Sequence, residues 1–188
     1  MSLTVVMGPM FSGKSSRILR LISQYAAIDT PVLVIKHADD TRYHRNEIAT
    51  HDGQHAPCVC VRDLDDIHPD DLRRFKVLIV DEAQFFKRLV PFVEWVVDTH
   101  GKHLYLVGLD GDSNRRPFGE LLECIPLADH VERLAAFCQR CANGRPAPFT
   151  YRRAGPHDQQ VIVGGHDRYM SLCRECYHME FARESLAS

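Results

Sequence analysis

The chain has 188 residues, room for one sizeable core and a small appended unit but not for two full domains. Hydrophobic residues at 45% and charged residues at 26% exclude a disordered chain, and no apolar run reaches the length of a membrane span. Lys+Arg 23 against Asp+Glu 25 leaves a formal charge of −2, so no global basic field exists to hold nucleic acid or an anionic membrane, and neither is expected as a partner.

The first residues, Met1-Ser2-Leu3-Thr4-Val5-Val6, lack the basic region and long apolar stretch of a secretory leader, and a cytoplasmic location is expected. In a reducing compartment seven cysteines, an odd number, point to free or metal-bound thiols rather than disulfides. From residue 1 to about 127, short apolar runs alternate with helix-like stretches, the pattern of βαβ units feeding a mostly parallel sheet. Residues 3–7 read as a strand stopped by Gly8-Pro9. Residues 15–27 place Ile18, Leu19, Leu21, Ile22 and Tyr25 at helical spacing. Residues 31–36, 77–81 and 103–108 read as three more buried strands, with a helix over 89–99 between the last two. The stretch 38–71 is polar and turn-rich, and its carboxylates at Asp63, Asp65, Asp66, Asp70 and Asp71 read as a solvated face. Composition shifts after Arg133, which divides the chain into an expected 1–133 nucleotide-binding domain and a 134–188 metal-binding unit.

Three constellations carry chemistry. Gly8-Pro9-Met10-Phe11-Ser12-Gly13-Lys14-Ser15 is a full G-x-x-x-x-G-K-[ST] match between a strand and a helix. Such a loop turns successive backbone N–H groups onto the phosphates of a nucleoside triphosphate, with Lys14 reaching the β/γ oxygens and the Ser15 hydroxyl meeting Mg²⁺. Its bland alternative is a chance glycine-rich turn. The second constellation is the apolar strand 77–80 ending in Asp81-Glu82, where a carboxylate in a P-loop protein holds Mg²⁺ and a neighbour handles the nucleophile. Asp81 is read as the metal-side residue and Glu82 as the general base; two acids closing a surface strand is the alternative. The third is Cys138-x-x-Cys141 with Cys173-x-x-Cys176, four thiolates at the local spacing of a tetrahedral structural Zn²⁺ site, against a redox pair or buried free thiols. Cys58, Cys60 and Cys124 lack that pairing, and no histidine falls in an H-E-x-x-H pattern.

Taken together, the residues resemble the zinc-containing (type II) thymidine kinases over nearly the whole chain. The likeness rests on residues 8–15, on Val34-Ile35-Lys36 followed by Asp40-Thr41-Arg42-Tyr43, on Thr50-His51-Asp52, and on Asp81-Glu82-Ala83-Gln84-Phe85-Phe86. It continues in Leu109-Asp110-Gly111, in Arg115-Arg116-Pro117-Phe118-Gly119, in the cysteine pairs, and in Val161-Ile162-Val163-Gly164-Gly165 leading to Tyr169. The resemblance implies a RecA-like P-loop domain joined to a small zinc-bound lasso or lid, and transfer of the ATP γ-phosphoryl group to the 5′-hydroxyl of thymidine. It implies that Glu82 accepts the hydroxyl proton, and that Asp40, Thr41, Arg42, Asp81 and Gln84 complete the nucleotide and Mg²⁺ site. Met10, Phe86, Leu109, Ser113, Phe118 and Tyr169 would line the base pocket, with Gln160, Val161, Ile162, Val163 and Gly164 reading the pyrimidine edge through backbone groups. A homotetramer is a further implication. Many members carry an aromatic where this chain has Ser113, which cannot stack. Open beside this reading are a P-loop ATPase whose zinc unit holds nucleic acid, a non-catalytic nucleotide sensor, and a deoxynucleoside kinase of broader base specificity.

Overall fold

A computed structural model describes residues 1–38, 47–49, 54–153 and 167–187. Its centre is a six-stranded parallel sheet. In chain order its strands are β1 (Ser2–Met7), β2 (Val32–His37), then, after a small antiparallel pair β3 (Glu47–Ala49) and β4 (His55–Pro57), β5 (Val59–Val61), β6 (Val77–Asp81), β7 (His103–Gly108) and β8 (His130–Arg133). The spatial order is β5-β2-β6-β7-β1-β8, which leaves one strand, β7, between the strand that opens the phosphate loop and the strand that ends in the acid pair.

A parallel sheet has helices or loops on both faces, so its strands are apolar at successive positions rather than at alternate ones. Leu3, Val5, Leu33, Ile35, Leu78, Val80, Leu104 and Leu106 pack on one face with α3 (Leu89–Val93). Val6, Val34, Ile79 and Val107 pack on the other with Ile18 and Leu21 of α1 (Lys14–Ala26). The helix expected over 89–99 is α3 continued by a wider π-type turn over Glu94–Thr99, and its first free amide, Leu89 N–H, donates to the Glu120 carboxylate at 2.9 Å.

The stretch expected to be a plain solvated face carries more structure. It contributes edge strand β5, a single helical turn over Leu64–Asp66 and helix α2 (Pro69–Arg74). Its acids are exposed yet placed: the Asp63 carboxylate accepts from Asp65 N–H at 3.1 Å and that of Asp71 from His68 N–H at 3.2 Å. Carboxylates are favoured there because the leading amides of a helical turn have no backbone acceptor.

Beyond β8 the chain builds a second, smaller core. β9 (Ala136–Phe137) pairs with β10 (Pro146–Ala147), β11 (Phe149–Arg152) pairs with β12 (Tyr169–Leu172), and α4 (Arg174–Ala187) follows. Ala136, Ala147, Tyr151, Leu172 and Tyr177 form a buried cluster around the four cysteines of the two Cys-x-x-Cys pairs.

One close approach fixes how the turn after β6 sits against the rest. Gly119 has φ +59°, and a Cβ there would stand 2.1 Å from the Gln84 carbonyl oxygen. Gly119→Ala would cost about 1–2 kcal/mol from its left-handed backbone alone, with the clash added. A urea melt of this variant is expected to show a clearly lowered midpoint; an unchanged one would mean that the Gln84 turn is not held against residue 119.

Candidate active site

The functional side chains collect where the parallel strands end. β1 runs into the phosphate loop, whose Gly13 at φ +84° introduces α1. No side chain caps that helix and no acid lies in its first turn, which leaves its leading amides and the positive end of its dipole to an anion. Ser12 Oγ donates to the Pro9 carbonyl at 2.8 Å. Lys14 Nζ donates to the carbonyls of Gly8 at 3.1 Å and Pro9 at 2.6 Å, so the ammonium is curled over its own loop. Gly8 is packed from behind: a Cβ on it would meet the Leu134 carbonyl oxygen at 2.6 Å. Amides, ammonium and hydroxyl thus form the donor set that phosphate oxygens need.

The acid pair stands at the end of β6. Asp81 and Glu82 are both buried, at 6% and 8% exposure. Glu82 turns into the left-handed region at φ +51°, which bends the chain out of the strand into the single turn Ala83–Phe85. Its own amide donates to Asp81 Oδ1 at 2.9 Å. Left-handed backbone at a residue other than glycine is costly and recurs at functional sites. Gln84 fixes the result. Its amide nitrogen donates to Glu82 Oε2 at 2.5 Å while its amide oxygen accepts from Leu109 N–H at 2.9 Å. The side chain therefore links the end of β6 to the end of β7, and the fit is tight enough that a Cβ on Gly108 would lie 2.4 Å from Gln84 Oε1. Gln84, expected beside the nucleotide, holds the candidate base and the backbone of Leu109.

Two residues here escaped the sequence reading as site members. Lys36 is 1% exposed and stands in register beside Asp81, a buried lysine on the strand next to the carboxylate proposed for the metal side. His37 packs edge-on against Phe86 at 4.7 Å between ring centroids. A lysine inside the apolar run Val32–His37 was the available signal. Buried charges persist when they have partners.

The base-pocket residues divide. Phe118 is buried and meets the half-buried ring of Phe85 at 5.5 Å, edge to face. Phe86, the ring expected in the pocket, is 2% exposed and belongs to the main core with Val80 and Leu89. The tight turn after Glu82 sends Phe86 inward and leaves the adjacent ring of Phe85 half-buried against Phe118. Ser113 is buried; its carbonyl accepts from Tyr177 O–H at 2.7 Å, and its Oγ has no hydrogen-bond partner among the described residues. Tyr177 itself lies under the Arg115 guanidinium at 4.4 Å, so the loop holding Ser113 is roofed by the second unit. Met10 and Leu109 are half-buried and Tyr169 is buried. Asp40, Thr41 and Arg42 lie outside the described residues, as do residues 50–52 and the expected edge-reading segment Gln160, Val161, Ile162, Val163 and Gly164.

The four cysteines of the two pairs converge. Their sulfurs lie within 4.8 Å of one another, with Cys141 at 3.9 Å from Cys173 and 3.5 Å from Cys176. Thiolates about 2.3 Å from a tetrahedral Zn²⁺ would stand about 3.8 Å apart, so the residues present fit that ion. Burial acts to raise the Cys138 thiol, but backbone N–H donors of Cys173, Cys141 and Arg140 bring it down to about 6. Burial, reinforced by the neighbouring sulfurs, pushes Cys176 up to about 12. A divalent cation relieves that mutual repulsion. Cys58 and Cys124 are outside the cluster, and burial raises each to about 12, as befits unreactive thiols.

The family model described as thymidine kinase matches residues 1–177. Thymidine kinase a of Arabidopsis thaliana is 41% identical over 177 residues, covering 92% of this chain and 73% of that protein. The thymidine kinase of Yaba monkey tumor virus is 38% identical over 173 residues, 92% of each chain. The cytosolic thymidine kinase of Gallus gallus is 37% identical over 173 residues, covering 92% of this chain and 75% of its own. Plant, viral and vertebrate relatives agree over almost the full length, and the phosphate loop, acid pair and cysteine cluster all fall inside the matched span: the chain belongs to the thymidine kinase family.

Proposed function

We propose that this ATP-dependent kinase transfers the γ-phosphoryl group of ATP to the 5′-hydroxyl of thymidine, giving dTMP in nucleotide salvage. The observation that carries the reading is the Glu82 carboxylate, buried at a strand end, held by Gln84 and on the same sheet edge as the phosphate loop. Residues 8–15 bind the phosphates, with Lys14 leaving its own loop carbonyls to meet them. Asp81 and the Ser15 hydroxyl are the residues that would hold Mg²⁺, which supplies charge neutralisation at the β/γ oxygens. Glu82 takes the proton of the 5′-hydroxyl as that oxygen bonds to the γ-phosphorus; the bond to the bridging oxygen breaks and ADP leaves.

On this reading residues 1–133 bind ATP and 134–188 close over the nucleoside as a lid tied by structural zinc. Met10, Leu109, Ser113, Phe118 and Tyr169 enclose the base, with Phe85, which meets Phe118, taking the place expected for the core residue Phe86. Asp40, Thr41 and Arg42 add to the nucleotide site, and residues 160–164 add backbone contacts to the pyrimidine. A homotetramer and a cytoplasmic location belong to the same proposal and rest on the likeness to the family. No helix among the described residues is long and apolar enough to cross a membrane.

Glu82→Gln keeps the shape and the hydrogen bond site while removing the proton acceptor. Its kcat is expected to fall on the order of 10² to 10⁴ with ATP affinity little changed, read by steady-state kinetics against a panel of thymidine, deoxyuridine and deoxycytidine. Turnover near wild type would sink the assignment of the base. Elemental analysis should find one zinc per chain, and Cys141→Ser should lose both that metal and activity while the far-ultraviolet signature of the sheet domain persists. A metal-free preparation with full activity would refute the structural role.

A further inference from the structure

Two side chains of the cysteine-bearing unit converge on one residue of the phosphate loop. Thr150 in β11 and Ser171 in β12 are directly opposed in the strand register. Thr150 Oγ1 accepts from Met10 N–H at 3.0 Å, and Ser171 Oγ donates to the Met10 carbonyl at 2.6 Å. Both hydroxyl-bearing residues are buried, Ser171 at 0% exposure and Thr150 at 5%, while Met10 is half-buried. A loop residue ordinarily gives its backbone groups to water or to its own segment; Thr150 and Ser171 lie 140 and 161 residues from Met10 in sequence.

The contact continues in both directions. Phe11, next in the loop, is left-handed at φ +63° and packs on the buried cluster of the second unit. A residue other than glycine keeps that conformation only where its surroundings impose it. On the far side, the Ser171 carbonyl accepts from Gln139 N–H at 3.0 Å inside the first cysteine knuckle, and Cys173 follows two positions later. Cysteine cluster, hairpin and phosphate loop are therefore joined by direct contacts.

We propose that Ser171 and Thr150 are positioning residues through which the metal-bound hairpin sets the shape of the phosphate loop, so that zinc at the four cysteines strengthens the binding of ATP. Holding Met10 from both sides fixes the loop before the nucleotide arrives, and the ordering cost of binding falls. By linkage, nucleotide on the loop also tightens the hold of the hairpin on its metal. The inference rests on the reading of residues 8–15 as the ATP phosphate site.

Its test is a coupling cycle read by binding rather than turnover. Affinity for a non-hydrolysable ATP analogue, without nucleoside, is measured for wild type, Ser171→Ala, Thr150→Val, their combination and Thr150→Ser, each with zinc and after chelation. Amide exchange of residues 8–15 is followed alongside. Each of Ser171→Ala and Thr150→Val is expected to weaken the analogue about tenfold and Thr150→Val to speed exchange at the Met10 amide, while Thr150→Ser, which keeps the acceptor, restores both. Chelation should weaken binding in wild type and add little in the combined variant. Sheet amides that stay protected in the single variants separate loss of the grip from loss of the fold. Wild-type affinity in Ser171→Ala and Thr150→Val, or an equal effect of chelation with and without the two hydroxyls, would overturn the proposal. A wild type that binds no analogue would instead overturn the assignment of the loop to ATP.

Discussion

Everything at the site depends on a parallel sheet that is covered on both faces. Its side chains are committed to two cores, and its only free chemistry is at the strand ends, where backbone groups leave the ladder and the chain must turn. β1 spends its end on the phosphate loop, β6 on Asp81 and Glu82, and β7 on Leu109. Because the strands are parallel, these ends lie along one edge. The glycine-rich loop and the buried Glu82 carboxylate, the proposed anion site and proton acceptor, are thereby placed at the same ends of the sheet without any long side chain having to bridge them.

Within that edge the precision comes from small residues. Gln84 can link Glu82 to Leu109 only because Gly108 and Gly119 leave room on two sides of it, at distances no Cβ could occupy. The buried amide spends one donor on the carboxylate and its oxygen on a backbone N–H, so neither end is left as an unpaired polar group. This fixes the rotamer of Glu82 through neighbours that are themselves rigid, the condition under which a proton acceptor stays aimed.

The second unit completes the site rather than merely covering it. Its four cysteines hold together a core of few apolar residues, too small to be secure unaided. From that core Tyr177 reaches the Ser113 carbonyl, and Thr150 and Ser171 reach Met10. The polar contacts between the units thus fall on the glycine-rich loop after β1 and on the loop after β7, the two segments proposed to flank the nucleotide and the base.

The sequence by itself determined four strands, expected at residues 3–7, 31–36, 77–81 and 103–108 and found within a residue of those bounds, with the glycine-rich loop, the acid pair and the two Cys-x-x-Cys pairs. Each of these is written locally, in an apolar run, a glycine spacing or a Cys-x-x-Cys pair, and needs no distant partner to be recognised. Tertiary structure alone decided which of two adjacent rings, Phe85 or Phe86, enters the main core, because a left-handed turn at Glu82 sets their directions. It alone decided that Gln84 serves Glu82, that Lys36 stands beside Asp81, and that the acids after residue 62 cap short helices. It alone brought Ser171 and Thr150 onto Met10. These are contacts between segments far apart in the chain, or choices of direction within a turn, and neither leaves a periodic trace in composition.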